Sequence, residues 1–148
     1  MKRLLLLVLL ALTVKFSTAL YEFQSCTKEV KEIKKPELCK ITKFKANAST
    51  PNAAKFYECV LSRLEYYNHR DKELYQNGEY IARGLSRFGM SKEDALKAIK
   101  KCKDSSSGGA VTPIGYVLCL LKDGKTKNSF QQLMKSRDED FFKSQCKK

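Results

Sequence analysis

The sequence predicts a single all-α domain of about six to eight helices that is stapled by disulfides. Apolar residues recur at helical spacing, as Phe56, Val60 and Leu64 do, and no run of β-branched residues alternates with period two. Six cysteines follow the amino-terminal leader, and small secreted domains commonly add such cross-links to a limited core. These observations favour short helices joined covalently around one core.

The amino terminus has the features of a secretory signal peptide. Lys2 and Arg3 precede an apolar run from Leu4 to Val14, and residues 17–19 fit a small-residue cleavage site. We therefore expect a signal peptide at 1–19, a domain at 20–148 and a secreted product. No later apolar run approaches the roughly 20 residues of a membrane span.

Two helical segments are expected before the first loop. Phe23 and Cys26 share a helical face and Pro36 marks an end, which predicts a helix over Tyr21–Lys35. Glu37–Phe44 is a short apolar and basic segment of one or two turns.

A loop with a glycosylation sequon precedes the third helix. Asn47 begins the sequon Asn-Ala-Ser, so we expect Asn47 to be a glycosylation site. Thr50 as N-cap and Pro51 in the first turn then predict a helix that runs to about Tyr67.

The middle of the chain alternates polar loops with two helices. Asn68–Gln76 is loop-like, and Asn77-Gly78 indicates a turn. A helix over Glu79–Phe88 is expected to end with Gly89 in the C′ position. Ser91 then opens the next helix as its N-cap.

The chain is organised around an apolar segment, Ala110–Leu121, which follows a Ser/Gly-rich connector at 105–109. Thr112 is a suitable N-cap, Pro113 suits the first helical position and Gly124 supplies a stop. Because the run has no charged residue, we expect a helix covered on every side.

Two further helices are predicted near the carboxyl terminus. Phe130 and Met134 indicate one short helix, and residues 136–139 read as a capping box for a last helix that carries Phe141 and Phe142.

The cysteines predict three disulfides. The six residues are Cys26, Cys39, Cys59, Cys102, Cys119 and Cys146. An even number in an oxidising compartment favours complete pairing, although spacing alone allows fifteen pairings. With no CxxC motif and a single histidine, His69, we expect no zinc site.

The chain is strongly basic. Its net charge of +13 includes Lys2, Arg3 and Lys15, which leaves about 13 − 3 = +10 after the leader. A basic secreted surface attracts polyanions, although the same charge also serves plain solubility. Aromatic residues do not alternate with basic ones as they do in single-strand binders, so no nucleic acid partner is expected.

The sequence offers little catalytic chemistry. His69 lies in a polar loop, oxidised cysteines leave no thiolate, and no glycine loop is followed by a phosphate-binding lysine pattern. Residues 138–140 form an acidic cluster at a predicted helix start, where carboxylates satisfy free N–H groups. We therefore expect no enzyme, cofactor or metal. The fifteen aromatic residues instead either line a ligand pocket or fill the core.

The sequence around the cysteines resembles a known family. The relevant segments are Cys26 in the first helix, Leu38-Cys39-Lys40-Ile41, Cys59-Val60-Leu61, Lys101-Cys102, Tyr116-Val117-Leu118-Cys119-Leu120-Leu121-Lys122, Ser129-Phe130 and Cys146 near the end. Together they resemble the short D7 salivary proteins of blood-feeding mosquitoes, which are relatives of the insect odorant-binding proteins.

The resemblance implies an odorant-binding-protein-like helical domain, secreted in saliva, that traps host mediators such as serotonin, histamine and noradrenaline. It implies disulfides Cys26–Cys59, Cys39–Cys146 and Cys102–Cys119. Some relatives take cysteinyl leukotrienes or thromboxane analogues, and others hinder contact-phase coagulation. We expect a monomer whose partners are small host mediators.

Several residues depart from the family's amine site. Its arginine and tyrosine are here Thr42 and Phe44, its histidine is Phe56, and its tyrosine is Val117, next to Tyr116.

The acidic part of the site also differs. Lys135 stands in place of the first acid, and Asp138 falls where the second would be, with Asp140 close by. A protonated amine needs a carboxylate in the pocket, whereas a lysine repels it.

Three hypotheses follow. The candidate ligand-binding residues are Phe44, Phe56, Tyr116, Lys135, Asp138 and Asp140. The leading hypothesis is a salivary scavenger of small mediators, with amines as the family default. The alternatives are a binder of eicosanoid or other lipid mediators, and a basic surface protein that binds polyanions or inhibits contact-phase coagulation.

Overall fold

The computed structural model describes residues 21–104 and 112–147. In chain order the α-helices are α1 (Glu22–Glu29), α2 (Lys35–Thr42), α3 (Ala53–Arg63), α4 (Glu79–Ser86), α5 (Lys92–Asp104), α6 (Pro113–Lys122), α7 (Lys127–Arg137) and α8 (Glu139–Ser144). A 3₁₀ helix at Tyr75–Gly78 precedes α4. The predicted all-α class is confirmed. The predicted signal peptide and the connector at 105–109 lie outside the described residues.

A short hairpin was not predicted. Strands β1 (Tyr67–Asn68) and β2 (Glu73–Leu74) pair antiparallel, with Tyr67 opposite Leu74. Two-residue strands are too short to show a period, so the polar segment reads as a loop. The hairpin leaves the helical class unchanged.

The boundary between α1 and α2 differs from the prediction. α1 ends at Glu29, and Pro36 lies in the first turn of α2 rather than terminating α1. A proline in the first turn loses no helical hydrogen bond, so the same residue suits a helix start as well as a stop.

The start of α3 was also predicted wrongly. Its N-cap is Asn52, which has a left-handed backbone (φ 60°), and the helix ends at Arg63 rather than near Tyr67. The Thr50 hydroxyl instead accepts a hydrogen bond from the Asn47 N–H at 3.1 Å and so closes the preceding loop. Asn47 itself is exposed, and its glycosylation stays a prediction.

Two predicted helix signals in the middle of the chain are confirmed. Gly89 has φ +92°, and the Met90 N–H reaches the Leu85 carbonyl at 3.4 Å, as expected for a glycine that follows a helix end. The helix itself ends at Ser86 with Arg87 as its C-cap, two residues before the predicted end at Phe88. The Ser91 hydroxyl accepts a hydrogen bond from the Asp94 N–H at 3.1 Å, where α5 begins.

Helix α6 occupies the centre, packed against α3, α5 and α7. The Thr112 hydroxyl accepts from the Gly115 N–H at 3.3 Å, which confirms the predicted cap. The prediction that this helix is covered on every side is wrong, because Leu118 and Leu121 are only half-buried. The helix stops at Asp123, whose carboxylate accepts from the next loop, rather than through Gly124.

All six cysteines are paired in the structure. Cys26–Cys59 joins α1 to α3, Cys39–Cys146 joins α2 to the chain after α8, and Cys102–Cys119 joins α5 to α6. This is the pairing that the family resemblance implies. No helix within 21–104 or 112–147 is long and apolar enough to cross a membrane.

Candidate ligand-binding site

An aromatic cluster joins three helices and two of the predicted site residues. We define it as Phe23 on α1, Phe44 after α2, Phe56 on α3, and Phe141 and Phe142 on α8. The Phe56 and Phe141 rings stack at 5.8 Å, and the Phe141 and Phe23 rings lie 5.2 Å apart. Phe142 lies 4.9 Å from Phe23 and 5.4 Å from Phe44, so it connects the interior to the rim.

The sequence pointed to only part of this cluster. Phe23 was expected in the core and Phe141 and Phe142 in the last helix, but none was expected at the site. Disulfide Cys39–Cys146 holds the chain that follows α8 against α2, and this contact brings Phe142 onto Phe44. Once that pairing is assumed, the neighbouring phenylalanines become the signal that identifies α8 as part of the site.

Phe44 and Lys135 form the outer edge of the cluster. Phe44 is half-buried and has a left-handed backbone (φ 52°), which turns the chain after α2. The Lys135 ammonium lies 5.8 Å from the centre of the Phe44 ring, within reach of a cation–π interaction. Lys135 is exposed, so its charge lies at the rim rather than in the interior.

Asp138 is buried and already fully engaged as a helix cap. Its side chain is the N-cap of α8, accepting from the Phe141 N–H at 3.1 Å, and its other oxygen accepts from the Gln24 N–H at 2.8 Å. The predicted capping box was therefore wrong, because Ser136 lies inside α7 and the cap is Asp138. Burial raises the pKa of the Asp138 carboxyl, and the two backbone hydrogen bonds oppose that shift.

Asp140 does not face the aromatic cluster's buried core. It is exposed and lines a shallow groove of about 200 Å³ together with Tyr21, Arg137 and Asp138. Within the described part of the chain, no three His, Cys, Asp or Glu side chains form a metal-holding group. Glu139 and Asp140 lie in the first turn of α8, directly after its cap Asp138.

Tyr116 is buried in the same hydrophobic core, on α6, and is 1% exposed. Its hydroxyl oxygen has no hydrogen-bond partner, although a buried hydroxyl normally finds one. Burial raises the pKa of the Tyr116 phenol far above its ordinary value, so the group stays neutral. An uncompensated donor in an apolar core is a candidate contact for a ligand's acceptor atom.

The predicted residues are thus brought together in part. Phe44, Phe56 and Lys135 belong to one continuous aromatic and cationic arrangement, while Asp138 caps the helix that carries Phe141 and Phe142. None of the grooves described along 21–104 and 112–147 is lined by Phe44, Phe56 or Tyr116. The arrangement offers an aromatic interior that ends in a cation. Tyr116, whose hydroxyl has no partner, belongs to the same hydrophobic core.

Comparison with known proteins agrees with the sequence resemblance. No protein-family model matches the chain. The chain is 25% identical over 125 residues to the short form salivary protein D7S1 of Aedes aegypti, a match that covers 84% of this chain and 83% of that protein. The match spans most of both chains, and it joins a helical fold whose three disulfides pair as the resemblance implies. Over most of its length, the chain is thus similar to a short-form D7 salivary protein.

Proposed function

We propose that this chain is a secreted salivary binding protein that sequesters small host mediators during blood feeding. The observation that carries the proposal is the Tyr116 hydroxyl, which is buried without a hydrogen-bond partner in the hydrophobic core that also contains Phe23, Phe56 and Phe141. The similarity to a salivary protein supports secretion into saliva. Depletion of mediators by such a protein blunts vasoconstriction, platelet activation and inflammation without any catalysis.

The charges favour an acidic or uncharged ligand over an amine. Asp138 is the one buried carboxylate residue in the described core, and both of its oxygens already accept backbone hydrogen bonds. Lys135 places a positive charge at the edge of the aromatic cluster. A protonated amine would meet that cation and find no free carboxylate, whereas a lipid acid gains from both features.

A Tyr116→Phe variant tests the role of the buried hydroxyl. Removal of an unpartnered hydroxyl leaves the ring in place, so we expect the free energy of unfolding to stay equal or rise by about 1 kcal/mol. Affinity for the ligand should fall by roughly tenfold, which is the loss expected for one hydrogen bond. Urea unfolding and calorimetric titration with leukotriene C4 measure the two effects separately. If the affinity of the variant equals that of the native protein, the hydroxyl has no part in binding.

A Lys135→Asp variant tests the ligand charge at the rim. We expect weaker binding of leukotriene C4 and stronger binding of serotonin, since the substitution restores an acid where the family carries one. Lys127→Asp changes the charge equally at an exposed position in the first turn of α7 and serves as control. An equal response of both variants would mean that only the overall charge matters.

The second candidate function is action on macromolecules through the basic surface. The net charge of about 13 − 3 = +10 that remains after the predicted leader favours this class, which includes polyanion binding and inhibition of contact-phase coagulation. If the protein acts in this way, we expect it to bind a heparin column at low salt and to elute steeply as the salt concentration rises. Flow-through at low salt would exclude this function.

A further inference from the structure

Arginine is concentrated at one groove, away from the aromatic cluster. Six of the 29 basic residues in the chain are arginines, and three of those six, Arg83, Arg87 and Arg137, line a groove of about 280 Å³ between α4 and the end of α7. Lysine, by far the commoner basic residue, does not line it. Arginine differs from lysine in presenting a planar fork that fits two oxygens of one oxyanion.

Two of these arginines project from one helical face. Arg83 and Arg87 are separated by one turn of α4 and both are exposed. Neither forms an ion pair with any residue in the described part of the chain. Glu79, one turn before Arg83, pairs instead with Lys92 at 3.2 Å. The two guanidinium groups are therefore available to an anion.

The third arginine, Arg137, is held in place by an ion pair with α1. A terminal guanidinium nitrogen of Arg137 donates to Glu22 at 2.8 Å, and the Arg137 side chain is 31% exposed. Its Nε is buried and has no hydrogen-bond partner. The ion pair with α1 thus fixes the guanidinium without satisfying all its donors.

Aromatic residues complete the groove. The Arg83 guanidinium lies over the Tyr80 ring at 4.7 Å, and the Gln76 amide donates to the Tyr80 hydroxyl at 3.1 Å. Tyr66 and Phe88 also line the groove, together with Glu65. Ring faces and hydroxyl donors beside guanidinium groups are suited to a sugar that carries an anionic ester.

We propose that this arginine groove binds a sulfate or phosphate ester carried on a sugar, either a free anionic sugar or one unit of a sulfated glycan chain. Arg83 and Arg87 supply paired N–H donors from one side, Arg137 supplies a fixed positive charge from the other, and Tyr80 contacts the sugar ring. The proposal does not depend on the ligand of the aromatic cluster, and Tyr116→Phe leaves this binding unchanged.

Charge-matched variants separate this site from general basicity. Arg83→Gln with Arg87→Gln removes two charges from the groove, and Lys28→Gln with Lys40→Gln removes two exposed helical charges elsewhere. Arg83→Lys with Arg87→Lys keeps the charge but loses the forked donors. Calorimetric titration uses a fully sulfated heparin disaccharide and full-length heparin, at two salt concentrations, with each variant first shown to unfold like the native protein.

We expect the double glutamine variant of the groove to lose at least about tenfold in affinity, because charge-assisted contacts to an oxyanion are lost. The variant with Lys28→Gln and Lys40→Gln should lose no more than about twofold in affinity. The variant with Arg83→Lys and Arg87→Lys should lose an intermediate amount. Arginine-dependent binding of the disaccharide identifies a free sugar ester as sufficient. If full-length heparin binds in an arginine-dependent way and the disaccharide does not, the site is assigned to a glycan chain. The proposal is overturned if neither probe distinguishes Arg83 and Arg87 from Lys28 and Lys40.

Discussion

At the scale of single residues, Asp138 links the local structure to the ligand preference that we propose. It joins the ends of α1, α7 and α8 through two backbone N–H groups. The family resemblance implies a ligand-binding acid at this position, but here both carboxylate oxygens accept backbone hydrogen bonds. The sequence placed Asp138 at a helix start, yet only the fold shows the long-range bond to Gln24.

Asp138→Asn tests this linking role. An asparagine amide has one acceptor oxygen and a donor group, so one of the two backbone N–H groups loses its partner. We expect the free energy of unfolding to fall by about 1–3 kcal/mol, the usual cost of a buried unsatisfied donor. Asp140→Asn, at an exposed position two residues later, should change it by less than about 0.5 kcal/mol. Equal urea midpoints for the two variants would refute the linking role.

The pH dependence of the stability of the native protein and of Asp138→Asn reports the balance between burial and hydrogen bonding at Asp138. Burial raises the pKa of Asp138 in the folded state above its ordinary value of 3.8, so the folded protein takes up this proton before the unfolded chain does. The stability that this group contributes therefore increases as pH falls from neutral towards that ordinary value. The stability difference between native protein and Asp138→Asn should widen over this window in urea unfolding. A narrowing difference would mean that the hydrogen bonds to the ionised form dominate.

At the scale of secondary-structure elements, Gly84 allows α4 to lie close to α7. A Cβ at this position would meet Leu133 Cδ2 at 2.8 Å and the Tyr66 hydroxyl at 3.1 Å, and Leu133 is buried. We expect Gly84→Ala to lower the free energy of unfolding by about 1–3 kcal/mol through overpacking. Gly124→Ala is the control, since nothing lies within 4 Å of its added Cβ. An unchanged melting temperature for Gly84→Ala would contradict this packing.

The disulfides should differ in their contribution because they close loops of different length. Cys39–Cys146 spans 107 residues, whereas Cys102–Cys119 spans 17. On the chain-entropy account, replacing both cysteines of the pair by serine should cost about 4.7 kcal/mol for the long loop and about 3 kcal/mol for the short one. Urea unfolding of the two double variants tests the order. A larger loss for the short loop would indicate that local packing, and not loop closure, sets the contribution.

The helices were predictable to different degrees, for physical reasons. Local signals identified the Thr112 and Ser91 caps, because a hydroxyl that caps a helix acts within three residues. Proline misled twice. Pro36 was expected to end a helix but lies in the first turn of α2, and Pro51 was expected in a first turn but precedes the N-cap Asn52. The β1–β2 hairpin was missed because two-residue strands carry no periodic signal.

At the scale of the whole molecule, the helical class and the disulfide count followed from composition and periodicity, whereas the site did not. The aromatic cluster depends on the contact of Phe142 with Phe44, which is distant in sequence. The arginine groove depends in the same way on the approach of Arg137 to Arg83 and Arg87. Single-sequence patterns report neighbours along the chain, and both arrangements arise from packing between helices.

We propose that this chain, which is similar to a salivary D7 protein, prefers an acidic mediator to an amine. Calorimetric titration of the native protein with serotonin and with leukotriene C4, under identical buffer and salt, tests it most directly. We predict that leukotriene C4 binds at least about tenfold more tightly than serotonin, a difference of about 1.4 kcal/mol. Tight serotonin binding with no measurable leukotriene binding would contradict the claim and show that a carboxylate does reach the ligand.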